Sequence, residues 1–245
     1  MRLDKYINDI TGEGRSAIKK KLKAGVVKVN GMMEKQADRQ IDEQKDEIVF
    51  EGKRLQYASF HYYLLHKPGN VVSATQDSMH QTVIDLLGED IPVHIKKELF
   101  PVGRLDKDTE GLVILTDDGA LSHELLSPTK HVEKDYLCYT ALPVTDDMIK
   151  QLEEGVDIGE KKLTKPAKVS RIDGEPDKHV VLTITEGKFH QVKRMMVAVG
   201  NEITYLKRLR MGPIVLPEDL PVGGYRACTK KEVDMLFACA KRDVL

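Results

Sequence analysis

The spacing of apolar residues predicts two short helices at the N-terminus. Between residues 3 and 10, apolar side chains recur at i, i+3, i+4 and i+7, the stripe of an amphipathic helix. Gly12 is positioned to end this helix. We expect Ser16 to cap a second helix, whose apolar side chains face inward and which Gly25 stops.

Strand signals follow these helices. Residues 26–29 have the composition of a strand, and Asn30-Gly31 is a strong two-residue hairpin signal because both positions tolerate positive φ. A further strand is expected at residues 48–50. Residues 56–59 have no clear periodicity and form the expected linker, which divides the chain into domains at 1–58 and 59–245.

The second domain combines short β runs with interspersed helices. Strands are predicted at residues 62–65, 112–115, 136–139 and 180–184. Helices are predicted at residues 82–87, 145–153, 190–199 and 229–241, the last of which starts with a capping box at Thr229 and Glu232. This pattern is typical of an α+β domain with a mixed, largely antiparallel sheet.

Composition indicates an ordinary globular chain. Hydrophobic residues make up 41% and charged residues 31% of the 245 positions, and no apolar run approaches the roughly 20 residues that cross a bilayer. The N-terminus lacks a secretory pattern, so we expect a cytoplasmic protein without a membrane role. Cys138, Cys228 and Cys239 are odd in number and far apart, which argues against a disulfide framework or a zinc site.

The net charge of −1 conceals a basic cluster. Residues 12–35 contain seven Lys and Arg against two Glu, a local charge of +5. A lysine triplet on a helix is ordinarily a solvated face. Beside a hairpin, however, it would present one positive surface to an RNA backbone. The candidate backbone-binding residues are Arg15, Lys19, Lys20, Lys23 and Lys28.

Residues 103–112 are the most informative segment, and three interpretations apply to it. Clusters of Asp and Gly between strands are commonly turns. The segment also matches several positions of an EF-hand calcium loop, at Asp106, Asp108, Glu110, Gly111 and Asp117. An EF-hand needs flanking helices and a final bidentate Glu, whereas a β run follows here and the last position is Asp117.

The third interpretation is a resemblance to a known family. The run Gly-Arg-Leu-Asp-x-Asp-Thr-x-Gly-Leu at 103–112 resembles the catalytic loop of the pseudouridine synthases. Segments 66–69, 133–136 and 186–195 resemble the same family in the same order. Residues 1–55, with two helices and a hairpin, resemble the S4 RNA-binding domain. The resemblance is strongest to the ribosomal small-subunit pseudouridine synthase A family.

The resemblance implies an enzyme that isomerises a uridine in ribosomal RNA, most specifically uridine 516 of 16S RNA. It also implies a small S4-like module in front of a larger catalytic domain. No cofactor or metal is expected, because the isomerisation changes no oxidation state. The expected partner is ribosomal RNA, free or in an assembling small subunit, and the expected state is a monomer. Alternatives are a large-subunit 23S target or a non-catalytic RNA-binding assembly factor.

Three residues carry catalytic roles in the resembled family. Asp106 matches the essential carboxylate, which acts on the ribose or the uracil. Lys193 matches the cation that keeps it ionised, where related branches carry Arg. Tyr136 matches a tyrosine that stacks on the flipped base, the alternative being a plain strand tyrosine. The presence of all three argues against a non-catalytic factor.

The expected substrate-binding residues are Arg104, Leu105, Phe189, His190 and Leu209. Arg104 would fill the gap left by the flipped base or grip a phosphate; alternatively it pairs with a neighbouring carboxylate. Phe189 and His190 would line the pocket, with packing as the alternative for Phe189. Leu209 is either apolar pocket lining or an ordinary buried leucine.

Overall fold

The computed structural model describes residues 1–43, 45–55 and 60–240, and the chain divides into two compact units. The first unit comprises Met1–Phe60 and Glu89–Lys97, and the second comprises His61–Gly88 and Glu98–Leu245. The expected linker at 56–59, and with it the expected domain boundary, lies outside the described residues. Within the described ranges, no helix has the length and apolar character required to span a membrane.

The first unit packs two helices against a small antiparallel sheet. Its elements are α1 (Leu3–Thr11), α2 (Arg15–Lys23), β1 (Val27–Val29), β2 (Met32–Met33), β3 (Ile48–Phe50) and β4 (Lys53–Leu55). The strands lie in the order β2-β1-β3-β4. Gly12 ends α1 in the left-handed region at φ 72°, and Asn30-Gly31 forms the hairpin with positive φ at both residues. Both predictions are confirmed.

The core of this unit is built from the apolar stripes that the sequence displays. It contains Leu3, Tyr6, Ile7, Ile18, Leu22, Val27, Val29, Ile41, Ile48 and Phe50. The prediction that Ser16 caps α2 is wrong, because the helix begins one residue earlier, at Arg15. The carbonyl of Gly14 accepts the first two helical hydrogen bonds, from Ala17 and Ile18, so Ser16 lies inside the first turn.

A short helix, α3 (Val93–Glu98), was not predicted from the sequence. Its residues up to Lys97 belong to the first unit, where the Nε2 atom of His94 lies 2.8 Å from the carbonyl oxygen of Asp9 in α1. Six residues give too little periodicity for an amphipathic signal.

The second unit contains one large sheet. Its strands are β5 (Tyr62–Lys67), β6 (Phe100–Pro101), β7 (Glu110–Thr116), β8 (Lys134–Thr140), β9 (Lys168–Arg171), β10 (His179–Ile184), β11 (Ile203–Met211), β12 (Ile214–Val215) and β13 (Tyr225–Ala227). They run in the order β13-β5-β7-β11-β8-β10-β9, with β6 beside β7 and β12 beside β11. The pairing of β7 with β11 is parallel and the other pairings are antiparallel. The predicted mixed, largely antiparallel α+β fold is confirmed.

The helices of this unit are α4 (Gly119–Leu126), α5 (Asp146–Glu154), α6 (Gln191–Ala198) and α7 (Lys230–Ala240). The last three confirm sequence predictions, although residue 241 lies outside the described part of the chain. The helix predicted at 82–87 is wrong, because these residues form turns. The Asp85 carboxylate accepts hydrogen bonds from the backbone N–H and the hydroxyl of Thr82, which closes a single turn shortly before Gly88.

Candidate active site

A cavity of about 580 Å³ opens in the second unit, within the size range of small-ligand sites. It is bounded by the loop between β6 and β7, by β8 and β11, and by the start of α6. The structure brings seven of the predicted catalytic and substrate-binding residues to its lining: Arg104, Leu105, Asp106, Tyr136, Phe189, His190 and Lys193. Residues that are distant in sequence therefore share one concave surface.

Two glycines allow the loop at 103–110 to take its path. Gly103 begins it in the left-handed region at φ 74°, and Gly111 follows it at φ 110°. A Cβ atom on Gly111 would overlap the backbone of Arg208, because β7 and β11 approach closely there. Side chains at these positions would be strained, which explains why the loop motif has glycine at both ends.

Ser73 holds the loop next to the carboxylate. Its hydroxyl accepts a hydrogen bond of 3.0 Å from the backbone N–H of Leu105 and donates one of 2.9 Å to the carbonyl of the same residue. Both residues are buried. Sequence reasoning gave Ser73 no role, because a lone serine in a loop carries no distinguishing signal.

Lys67 anchors the other side of the loop. Its side chain is fully buried, and its Nζ donates to the carbonyl oxygens of Pro68, Lys107 and Thr109 at 3.0, 3.1 and 2.7 Å. Burial lowers the pKa of Lys67 to about 8, although the nearby carboxylates oppose this change. The segment 66–69 was part of the family resemblance, but only the structure shows that Lys67 holds the loop.

Asp106 lies in a cluster of charged groups. Its Oδ2 is 3.2 Å from the Nζ of Lys193, and its Oδ1 is 3.5 Å from the Nε2 of His190. The Nζ of Lys193 is closer still, at 2.6 Å, to the Oδ1 of Asp108. One ammonium therefore lies between two carboxylates of the same loop.

The pKa values of Lys193 and Asp108 are shifted in favour of their charged forms. Burial opposes the charge of Lys193, but its hydrogen bond to Asp108 and the charge of Asp106 outweigh burial and raise its pKa. The same hydrogen bond lowers the pKa of Asp108. Lys193 is therefore protonated at neutral pH, with its Nζ 3.2 Å from the Asp106 carboxylate.

The N-terminus of α6 brings Lys193 and two ring side chains to the cavity. His190 precedes the helix in the left-handed region, at φ 49°. Its ring stacks on that of Phe189, with centroids 3.8 Å apart and an angle of 20° between the planes. Phe189 is 74% exposed, so the interpretation of this residue as a packing side chain is wrong.

The remaining predicted residues divide into those inside and those outside the lining. Tyr136 is buried on β8 with its side chain in the cavity wall. Arg104 is exposed, and within the described residues it forms no ion pair, so the alternative of a carboxylate partner is not observed. Leu209 is half-buried and outside the lining; Leu206 and Arg208 of the same strand are there instead.

The position of Leu209 has a physical reason. Successive side chains of a strand point to opposite faces, so Leu206 and Arg208 share the cavity face and Leu209 points away. The pairing of β11 with β8 also shifts register between Arg208 and Arg210. The sequence prediction placed Leu209 in the pocket and assigned no role to Arg208.

The calcium-loop interpretation does not fit the geometry. Residues 110–116 form a seven-residue strand, which separates Asp106 from Asp117 by roughly 20 Å or more along the chain. The Asp117 carboxylate is bound to the backbone N–H and ring of His61, at 2.6 and 2.7 Å. Asp118 caps α4 by accepting from the N–H of Leu121.

In the first unit, the five candidate backbone-binding residues are exposed. They are Arg15, Lys19, Lys20, Lys23 and Lys28. Among the described residues, none of the five forms an ion pair. Lys21 differs, because it pairs with Glu13 and Glu51 and lies over the ring of Phe50.

Comparison with known proteins identifies the family. Residues 61–198, more than half of the chain, match the family model described as RNA pseudouridylate synthase. The chain belongs to the RNA pseudouridylate synthase family. The resemblance to the pseudouridine synthases and the assignment of an isomerase activity are thereby confirmed.

Relatives of this pseudouridine synthase match along almost their whole length. An RNA pseudouridine synthase of Bacillus subtilis is 44% identical over 96% of this chain and 98% of its own. Ribosomal small subunit pseudouridine synthase A of Haemophilus influenzae is 42% identical over 96% of this chain and 99% of its own. The protein of that name in Escherichia coli is also 42% identical, over 95% of this chain and 98% of its own.

Solved structures agree with the fold of this pseudouridine synthase. A crystal structure of a pseudouridylate synthase superposes with a TM-score of 0.67 at 40% identity, over 96% of this chain and 99% of that one. The loop at 103–110 and the N-terminus of α6 both fall within the segment matched to the family.

Proposed function

We propose that this pseudouridine synthase acts in the cytoplasm on 16S ribosomal RNA and modifies uridine 516. The choice of 16S RNA as the target is supported by relatives named as ribosomal small subunit pseudouridine synthases, which match nearly the whole chain. A large-subunit target is the alternative outcome of the experiment below.

We further propose that Asp106 acts on the nucleoside while Lys193 favours its ionised form. The reaction breaks the bond from ribose C1′ to N1 of uracil, turns the base and rejoins it through C5. The observation that carries this assignment is the 3.2 Å contact between Asp106 and Lys193 within a cavity that also holds Tyr136. Tyr136 is placed to stack on a base extruded from the RNA.

Binding energy from outside the cavity is needed because extrusion of a base costs a few kcal/mol. The exposed cations of the first unit fit that need, since phosphate contacts position RNA without reading its sequence. We propose that this unit binds the RNA backbone as S4 domains do, through Arg15, Lys19, Lys20, Lys23 and Lys28.

The experiment incubates the protein with 16S transcript, with 23S transcript and with assembling small subunits, and maps pseudouridine by nucleotide. We expect conversion at uridine 516. Asp106→Asn should lower the rate by roughly 10³-fold or more, because the amide is not an ionised nucleophile or base. The exposed Asp173→Asn serves as the matched control and should convert at the wild-type rate.

The outcomes separate the target from the site. Conversion in 23S alone would reject the small-subunit target but leave the role of Asp106 standing. Conversion by Asp106→Asn at the rate of Asp173→Asn would reject the catalytic role, whichever RNA is modified.

A further inference from the structure

Two buried cations lie in the wall of the cavity without carboxylate partners. Arg208 of β11 is 1% exposed and Lys134 of β8 is 6% exposed, and both line the cavity. Among the described residues, neither forms an ion pair. Buried charges in proteins are normally paired, because removing them from water is costly.

Their hydrogen-bonding capacity is also incompletely used. The Nε of Arg208 donates to the carbonyl of Leu112 at 2.7 Å, but its buried Nη2 has no partner among the described residues. The Nζ of Lys134 donates to the carbonyl of Val132 at 3.1 Å, which leaves two of its three hydrogens for another acceptor. Unused donors in a substrate cavity indicate that the substrate supplies the acceptors.

Both groups lie near Tyr136 in the sheet. Arg208 is the direct partner of Tyr136 in the pairing of β11 with β8, and Lys134 precedes Tyr136 by two residues on the same face. The Nη1 of Arg208 lies beneath Gly103, 3.9 Å from where a Cβ atom on that glycine would be. Arg208 therefore extends from the strand position beside Tyr136 to the start of the loop that carries Asp106.

Burial and a neighbouring cation both disfavour the charge of Lys134. Burial, followed by the charge of Arg208, lowers the pKa of Lys134 to about 8, and Cys239 and Glu186 oppose this only weakly. An acceptor with negative charge in the cavity would offset both effects.

We propose that Arg208 and Lys134 bind the carbonyl oxygens of the target uracil and stabilise the negative charge that this base acquires when its glycosidic bond breaks. The inference rests on pseudouridine synthase activity and not on the identity of the RNA. When the C1′–N1 bond breaks, its electron pair goes to the base and delocalises over N1, O2 and O4. Hydrogen-bond donors fixed at those oxygens lower the barrier, as in an oxyanion hole.

The step is balanced without a co-reactant. C1′ of the ribose is left short of electrons. Asp106 makes up for this either by forming a bond from its carboxylate to C1′ or by taking a proton from the ribose. C5 of the turned base then forms the new bond to C1′ as the bond to the Asp106 carboxylate breaks, or as the carboxylate returns the proton to the ribose. The hydrogen displaced from C5 is replaced by one gained at N1, so Asp106 ends as it began. The product is an isomer of the substrate, so no electrons enter or leave.

Depth favours the base over a backbone phosphate as the ligand. The side chain of Asp106 is 24% exposed, whereas Arg208 and Lys134 are almost completely enclosed. The phosphates of an RNA strand that continues on both sides of the extruded nucleotide stay near solvent. A phosphate ligand is therefore an outcome for the experiment to detect and not part of the proposal.

The test measures single-turnover conversion and RNA affinity for Arg208→Met and Lys134→Met. The control is Lys168→Met, which removes one positive charge from a side chain that is 75% exposed and outside the cavity. At saturating enzyme, we expect each cavity variant to convert RNA on the order of 10²–10³-fold more slowly, the loss typical of one oxyanion donor. RNA affinity should stay within about twofold of the control.

Other outcomes would overturn the proposal. If the variants lose RNA affinity and its salt dependence while the saturated rate is unchanged, the two cations bind phosphate. If the rate and the RNA affinity of both variants match those of the control, Arg208 and Lys134 bind no part of the substrate. The assay uses whichever RNA the wild type converts, so failure on 16S RNA would reject the proposed target without affecting this result.

Two further measurements separate catalysis from folding. Arg208→Lys keeps a charge at the position and should recover part of the rate that Arg208→Met loses, while thermal unfolding checks that each variant is folded. RNA with 2-thiouridine or 4-thiouridine at the target offers a weaker acceptor. At least one of these substrates should slow the wild type and have little additional effect on the variant that lacks its donor; equal slowing in all proteins would overturn the proposal.

Discussion

At the scale of single residues, the ammonium of Lys193 is divided between two carboxylates. It is closer to Asp108, at 2.6 Å, than to Asp106, at 3.2 Å. Asp108 is 69% exposed, so water screens much of that attraction, whereas Asp106 is more enclosed at 24%. Water therefore screens the attraction between Lys193 and Asp106 less than the attraction between Lys193 and Asp108.

This geometry predicts different effects for two substitutions. Lys193→Met should lower conversion by on the order of 10²-fold at neutral pH, because the Asp106 carboxylate loses the ammonium that lies 3.2 Å away. Asp108→Asn should change the rate by less than about threefold. Single-turnover rates across pH would check both; an equal loss in the two variants would mean that Asp108 takes part in the reaction.

At the scale of elements, local patterns predicted structure where periodicity or capping was strong. The stripes of α1 and α2, the Asn30-Gly31 hairpin and the capping box of α7 all formed as expected. The motif at 103–112 predicted Asp106 as the essential carboxylate, and the segments 133–136 and 186–195 predicted Tyr136 and Lys193 as its companions. Each of these signals lies within a short stretch of the chain, so it can be recognised without knowledge of distant contacts.

Elements that depend on distant partners were missed. β11 carries four charged or polar side chains among its nine residues, and its alternation does not resemble a central strand. It is central because it pairs with β7 on one side and β8 on the other, which also buries Arg208. The same holds for Ser73, whose importance comes from a contact with Leu105, 32 residues away.

The contact made by Ser73 predicts that Ser73→Ala will loosen the catalytic loop. Loss of both hydrogen bonds to Leu105 should cost about 1–2 kcal/mol of unfolding free energy. The rate should fall by roughly tenfold or more, because small displacements of a reacting group are costly, while RNA affinity is unchanged. The exposed Ser78→Ala is the matched control for single-turnover and unfolding measurements. A variant as active as this control would show that the loop keeps its position without Ser73.

The start of α7 predicts a pH-dependent contribution to stability. The Glu232 carboxylate accepts from both terminal nitrogens of Arg226, at 2.8 and 2.7 Å, and from the backbone N–H of Thr229 at 2.7 Å. The hydrogen bond from Arg226, against the effect of burial, lowers the pKa of Glu232 from 4.5 to about 2. A lowered folded-state pKa means that the stabilisation is complete above about pH 4.5 and is lost as the pH falls toward about 2.

Glu232→Gln should therefore reduce the free energy of unfolding by about 1–2 kcal/mol at pH 7. The difference in stability from wild type should shrink as the pH is lowered from about 5 toward 3. In that range Glu232 of the wild-type protein binds a proton in the unfolded chain but not in the folded one, which favours unfolding. Denaturant unfolding at several pH values measures this. A difference that stays constant over that range would mean that the charge of Glu232 does not contribute.

At the scale of the whole molecule, charge is distributed unevenly although the total is −1. The first unit exposes basic side chains on α2 and β1, whereas in the cavity of the second unit Lys134 and Arg208 are buried and Lys193 is paired with Asp106 and Asp108. Under the proposed function, the first unit supplies sequence-independent affinity for RNA and the second unit supplies the chemistry.

This division predicts that affinity and rate can be changed separately. Lys19→Gln combined with Lys20→Gln should weaken RNA binding by roughly 10- to 30-fold at physiological salt and reduce the slope of log affinity against log salt by about 1.4–1.8, the value for two lost phosphate contacts. The single-turnover rate at saturating RNA should be unchanged. Lys230→Gln with Lys231→Gln removes two adjacent exposed lysines from α7 and serves as the matched control. If both double variants lose affinity equally, the effect is one of net charge, and the lysines of α2 are no more than a solvated helix face.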